Sequence, residues 1–202
     1  MVEDRIRFVT GNFSQLQGLR WIPLGLYLIA LAASAMGQLS WLPGDGPTAE
    51  ARWLGVAFCG GLIGAVGATA YYRRRYGTVA QFGRRGRNVL SAVAVAVFIV
   101  LARFDLHADG PVALAPLWVA AALALVVGVD GWLRVHFLVA AVPWFVIAWT
   151  PPLHADGTTR LVSYALAGAV ALLVCGIGDH RLIARTLPNR EETGHAPQSG
   201  AV

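Results

Sequence analysis

The chain alternates long apolar stretches with short polar connections. Six of the stretches approach the ~20 residues that an α-helix needs to cross ~30 Å of hydrocarbon. They cover residues 21–41, 53–72, 89–104, 112–129, 132–149 and 161–178. Trp or Tyr stands at both ends of several stretches, as is typical where aromatic rings meet the membrane–water interface. The pattern predicts an all-α, multi-pass integral membrane protein whose bundle contains six transmembrane helices.

Composition indicates the same class. Of the 202 residues, 56% are hydrophobic and only 13% are charged, whereas a soluble domain is about a quarter charged. The mean hydropathy is +0.59. These values exclude a disordered chain, a collagen-like fibre and an ordinary cytosolic enzyme.

The basic residues predict the orientation. All sixteen are Arg, and the formal net charge is +5. The connection between stretches two and three carries six of them, and the two terminal segments carry three each. The positive-inside rule then places both termini in the cytoplasm of a bacterial cell, with the spans in its inner (plasma) membrane.

The positions of the arginines also predict a partner. They stand at the ends of apolar runs, where anionic phospholipid headgroups would meet them, so we expect lipid contacts and no nucleic-acid binding. Control of topology is the simpler explanation for the same charges. The arginines expected to face headgroups or a cytoplasmic partner are Arg73, Arg74, Arg75, Arg84, Arg85, Arg87, Arg181 and Arg185.

The membrane domain is expected over residues 21–187, between two cytoplasmic segments. In residues 1–20, Ile6, Val9, Phe13 and Leu16 recur every three or four positions, which predicts an amphipathic helix at the inner interface, with a frayed lead-in as the alternative. Residues 188–202 have the composition of a disordered tail. A signal-peptidase-like site at residues 33–35 lies inside an apolar stretch that continues beyond it, so we expect span one to be retained.

One five-residue motif occurs twice. Leu-His-Ala-Asp-Gly stands at residues 106–110 and again at residues 153–157, each time in a connection predicted to face outward. The economical interpretation is three helical hairpins, the last two related by duplication. The alternative is that the two turns have the same backbone conformation, which favours Asp-Gly in each.

The second span carries a stripe of small residues at helical spacing. Such stripes allow helix backbones to approach closely in lipid. Packing within the chain is the commoner use of such a stripe, and docking of a second copy or of another membrane subunit is the alternative. The residues concerned are Gly60, Gly61, Gly64, Gly67 and Ala68.

Histidines and acids near the ends of the spans form the candidate metal set. Imidazole and carboxylate can share a metal ion, and two His on separate helices can ligate haem. Helix ends that bind water or headgroups are the simpler explanation, so we predict no cofactor as the leading interpretation. The set consists of His107, Asp109, His154, Asp156, His136, Asp130, Asp179 and His180.

Sequence motifs for catalysis are missing. There is no G-x-S-x-G and no phosphate-binding loop, and we find no Asp, Glu or Arg near the middle of a span. We therefore expect a non-catalytic accessory or scaffold subunit that packs through span two. A small facilitator or transporter is the first alternative, and a metal- or haem-binding redox subunit is the second.

Overall fold

The computed structural model describes residues 9, 13, 16–39, 43, 47–76, 84–105, 107 and 111–187. Most of these residues are helical, and no strand occurs among them. Three short 3-10 turns, at Gly18–Trp21, Gly131–Arg134 and Pro151–Leu153, flank the longer helices. The α-helices with described bounds are α1 (Ile22–Ala35), α2 (Pro47–Tyr76), α3 (Arg84–Asp105), α4 (Leu114–Asp130), α5 (His136–Trp149) and α6 (Gly157–Thr186).

Four helical stretches within these residues are long and apolar enough to cross a membrane. They are Gly18–Ala35, Thr48–Tyr76, Leu114–Arg134 and Gly157–Thr186, while α5 has 14 residues. The prediction of an all-helical membrane-type protein is thereby confirmed. The count of six spans and the position of the termini stay predictions.

The helices pack in an order that differs from their order in the chain. α2 lies on α1, α1 on α6, α6 on α5, α5 on α4, and α4 on α3. The broadest contacts join α1 to α6 and α4 to α5, and both pairs consist of helices from different predicted hairpins. The first and last helices of the bundle are therefore neighbours.

α1 ends earlier than the predicted span, which continues to residue 41. Gly37 adopts φ +69°, and its N–H donates to the Ser34 carbonyl at 2.8 Å. The Gln38 N–H donates to the Ala33 carbonyl at 2.9 Å. This is a Schellman termination, in which a left-handed glycine closes the last turn. Hydropathy did not indicate this end, because Leu39 and Trp41 extend the apolar stretch beyond Gly37.

Apolar side chains are buried in two places. One core surrounds Trp144 of α5, which contacts side chains of α3, α4 and α6. The other joins Val9, Phe13 and Leu16 to Tyr72 and Ile183. The three N-terminal residues thus lie against α2 and α6, so burial in protein accounts for their helical spacing. Ile6 and the tail 188–202 lie outside the described residues.

Candidate functional site

The C-terminal ends of α2 and α6 meet at what we call the arginine-rich end of the molecule. There α6 carries the segment Gly176-Ile177-Gly178-Asp179-His180. A Cβ on Gly176 would lie 2.8 Å from the Gly18 carbonyl oxygen, and a Cβ on Gly178 would overlap the His136 ring. Both glycines therefore leave room for a neighbour to approach the helix.

Asp179 is the centre of a buried charged network. Only 3% of the residue is exposed. His136 Nε2 donates to Asp179 Oδ1 at 3.0 Å, and Arg134 Nε lies 3.7 Å from the same oxygen. Arg134 also donates to Asp130 Oδ2 at 2.9 Å. A buried carboxylate is tolerated when it is paired and hydrogen-bonded, so this network holds α6 against the start of α5.

A second polar contact joins α2, α6 and the N-terminal turn. The Tyr72 hydroxyl lies 2.9 Å from His180 Nδ1. The Leu19 N–H donates to the same hydroxyl at 3.3 Å. Tyr72 is fully buried, so its hydroxyl needs partners of this kind.

The predicted headgroup arginines flank this contact. Arg75 donates to the Tyr71 hydroxyl at 3.0 Å and lies 5.7 Å from the centre of its ring. The side chains of Arg84, Arg85 and Arg87 lie outside what the structure describes. The exposed arginines at this end are Arg73, Arg74, Arg75, Arg181 and Arg185.

The opposite end of the bundle has a buried carboxylate of its own. Asp105, at the end of α3, is 5% exposed. Its carboxylate accepts the Leu114 N–H at 2.9 Å and the Ala115 N–H at 2.8 Å. These donors are free N–H groups of the first turn of α4, so Asp105 caps that helix from the preceding one. Tyr164 Oη lies 3.5 Å from Asp105 Oδ2.

Arg160 ties the connections together at this opposite end. Its guanidinium donates to the Asp105 carbonyl at 2.6 Å and twice to the His154 carbonyl, at 3.1 and 2.7 Å. His154 is 6% exposed, and its Nε2 has no partner among the described residues. These contacts hold the α5–α6 connection against the end of α3.

The two Leu-His-Ala-Asp-Gly copies have different surroundings. His107 is exposed, and its Nδ1 lies 2.8 Å from the Arg103 carbonyl, whereas His154 is buried. Asp156 caps α6 by accepting the Thr159 N–H at 2.9 Å and the Thr159 hydroxyl at 2.6 Å. These hydrogen bonds hold the pKa of Asp156 below its ordinary value. Asp109 lies outside the described residues, so duplication stays a hypothesis.

The predicted metal ligands are distributed over several sites. His136 contacts Asp179, and Asp130 contacts Arg134. His180 contacts Tyr72, while Asp156 caps its own helix. Among the described residues, no three His, Cys, Asp or Glu side chains come together in a geometry that could hold a metal ion.

The glycines of the α2 stripe differ in what lies next to them. Cβ atoms on Gly61 and Gly64 would lie 3.6 and 2.9 Å from atoms of Pro23 in α1. Cβ atoms on Gly60 and Gly67 would meet nothing within 4 Å. An apolar groove of about 300 Å³ between α1 and α2 is lined in part by Gly60, Gly61 and Gly64. Ala68 is half-buried.

Sequence reasoning missed three residues on which these contacts depend. They are Tyr72, Arg134 and Asp105, none of which was among the candidate site residues. A long-range partner identifies each of them, and spacing along the chain does not show such partners. Comparisons with protein-family models, curated proteins and solved structures found no match.

Proposed function

We propose that this chain is a non-catalytic, six-span membrane subunit that assembles with a second copy through the outward side of α2. In this proposal both termini face the cytoplasm, which places the arginine-rich end at the inner leaflet. α3 and α5 complete the set of six spans. Exposed apolar side chains along α3, such as Val93 and Ile99, support a lipid-facing position for that helix.

The observation that carries the proposal is the open side of α2. Gly60 and Gly67 stand seven residues apart with free space above them. Ile63 lies between them and is 73% exposed, and Val56 continues the same row. Large side chains and glycines alternate along this row. Such a surface allows another helix to approach closely in lipid.

This row is complementary to itself. When two copies pack with parallel α2 helices around a two-fold axis, residues at the same depth face each other. The Ile63 side chain of one copy then enters a gap on α2 of the other copy. This gap lies beside Gly60 and Gly67, which have no side chains to fill it. Knobs that enter such holes are the basis of close helix pairing.

Cys59 provides a native reporter for the test. It is exposed beside Gly60, whereas Cys175 lies in α6. In a Cys175→Ala background, mild oxidation of membranes is expected to yield a disulfide-linked species of twice the chain mass. The double variant Gly60→Leu/Gly67→Leu should lose most of this species, because two side chains would fill the holes.

Gly128→Leu is the matched control, since Gly128 of α4 is also exposed with open space above it. Crosslinking should persist in that variant. A crosslinked product of another mass that disappears in the Gly60→Leu/Gly67→Leu variant would show that the partner of α2 is a different subunit and not a second copy. Crosslinking that survives in the double variant, or no crosslinked product at all, would overturn the proposal.

A further inference from the structure

Three apolar residues before the first 3-10 turn occupy a cleft between α2 and α6. Val9, Phe13 and Leu16 are each at most 2% exposed, and we call them the N-terminal strap. The Phe13 ring packs edge-on against the rings of Tyr72 and Tyr76, with centroids 6.4 and 6.3 Å away. The spacing of the three residues places them on one face of a helix, and Val9 is itself helical. The strap therefore presents one apolar face to the cleft.

The cleft lies at the level expected for a membrane interface. Tyr71 and Tyr72 precede the arginines at positions 73–75 of α2, and Tyr76 follows them. Tyrosines and arginines at the end of an apolar helix are typical of the headgroup level. An amphipathic helix that rests on a membrane lies at this same level. The strap can therefore pass from the cleft to the bilayer surface without crossing the membrane.

The cleft and the lipid are similar surroundings for the strap. Because lipid chains are as apolar as a protein core, moving an apolar side chain from one to the other has little hydrophobic driving force. The cleft adds close packing against Tyr72 and Ile183, which are both fully buried. The Tyr72 hydroxyl has the Leu19 N–H and the His180 ring as partners. Neither belongs to the strap, so release of the strap leaves this hydroxyl hydrogen-bonded.

We propose that the N-terminal strap is a two-position element. In the docked position, which the structure shows, it closes the cleft between α2 and α6. In the released position the same apolar face lies on the bilayer interface. Packing in the cleft favours the first position, and a curved bilayer, which takes up amphipathic segments, favours the second. The location at the inner leaflet rests on the proposed function, whereas the contacts in the cleft do not depend on assembly.

Thiol labelling of the full chain tests the two positions, with both native cysteines removed by Cys59→Ala/Cys175→Ala. Val9→Cys reports on the strap, and Ala140→Cys reports on the bundle, since Ala140 of α5 is 0% exposed. The variants react with N-ethylmaleimide in phosphatidylcholine vesicles, and each rate is compared with that of the same thiol in the denatured chain. We expect the protection of Val9→Cys to be about tenfold or more below that of Ala140→Cys, because local opening requires less free energy than global unfolding.

A matched pair of variants on α6 tests the cleft. Ile183→Ala removes a buried side chain and should accelerate the labelling of Val9→Cys about tenfold or more, as is typical when a core side chain is truncated. Ile177→Ala removes the same atoms from a position that is 41% exposed and should leave the rate unchanged.

The curvature of the bilayer tests the second position. Labelling of Val9→Cys should be several-fold faster in small, highly curved vesicles than in large vesicles of the same lipid, because curved bilayers take up amphipathic segments more readily. The rate for Ala140→Cys should be the same in both.

Several outcomes would overturn the two-position strap. Equal protection of the two thiols would show that the strap leaves the cleft only when the bundle unfolds, and no protection of Val9→Cys would show that it is not docked. Equal rates in the two α6 variants would exclude the cleft as the docking place. Rates independent of curvature would exclude the bilayer as the second position. The second-copy crosslink depends on Cys59 and on the outward side of α2, so the two proposals fail separately.

Discussion

Two buried carboxylates, Asp179 at the arginine-rich end and Asp105 at the opposite end, are stabilised in different ways. Asp179 is 3% exposed and lies beside the Arg134 guanidinium and the His136 ring. Asp105 is 5% exposed and accepts two backbone N–H groups from the start of α4. The first carboxylate is balanced by side-chain charge, and the second by a helix N-terminus.

The difference has structural consequences. The partners of Asp179 come from the turn before α5 and from α5 itself, so its network joins elements that are distant in the chain. Asp105 acts across one short connection, between α3 and α4. Loss of Asp179 would leave a buried cationic side chain with one carboxylate partner fewer, whereas loss of Asp105 would leave two backbone N–H groups at the start of α4 without their acceptor. The two sites should therefore differ in their effect on stability.

The largest effect is expected for Asp179→Asn. It removes the carboxylate while Arg134 remains 5% exposed, and breaking a buried charge pair costs about 3 kcal/mol or more. Thermal unfolding in detergent micelles, followed by tryptophan fluorescence, measures the loss. Asp130→Asn is the matched control, because the Asp130 side chain is 23% exposed. Similar losses for the two variants would show that the network does not depend on the more buried partner.

Asp105→Ala should have an intermediate effect of about 1–2 kcal/mol, the usual value of a helix N-cap. Hydrogen exchange of residues 114–118 should accelerate, because the Leu114 and Ala115 N–H groups lose their acceptor. Asp105→Asn keeps one carbonyl acceptor and should lose less. If exchange in α4 is unchanged in the Ala variant, the cap is not what holds the start of this helix.

The smallest effect is a pH dependence at Asp156. Its pKa lies below the ordinary carboxyl value of 3.8 because the Thr159 hydroxyl and N–H donate to the carboxylate. A lowered pKa in the folded state contributes stability above the unfolded-state pKa, and this contribution is lost as the pH falls through the folded value. The melting temperature of the native chain should therefore fall slightly more between pH 6 and pH 3 than that of Asp156→Asn. Equal slopes would contradict the prediction.

The helices could largely be predicted from the sequence, and their partners could not. Hydropathy placed a helix at each of the six stretches, because burial in lipid or protein requires a continuous apolar segment with satisfied backbone groups. It extended the first span beyond Gly37, since a left-handed glycine does not alter hydropathy. The spacing of Val9, Phe13 and Leu16 indicated an apolar face, and the structure shows what covers it.

Side-chain partners followed from tertiary packing alone. The sequence grouped His136 and His180 with Asp130 and Asp179 in one candidate metal set. The structure pairs His136 with Asp179 and His180 with Tyr72, a residue 108 positions away. The glycine stripe of α2 could be recognised as a packing element, but which glycines face α1 depends on where Pro23 lies.

The amino-acid sequence by itself determined the helical class, the membrane-type composition and the concentration of arginine near particular helix ends. These properties are local, because a period, a run length or a charge count needs no knowledge of distant residues. Tertiary structure decided that α1 and α6 are neighbours, that Asp105 caps the next helix, and that the Tyr72 hydroxyl meets His180. Each of these depends on two segments meeting at hydrogen-bond distance, and only the packed bundle sets that distance.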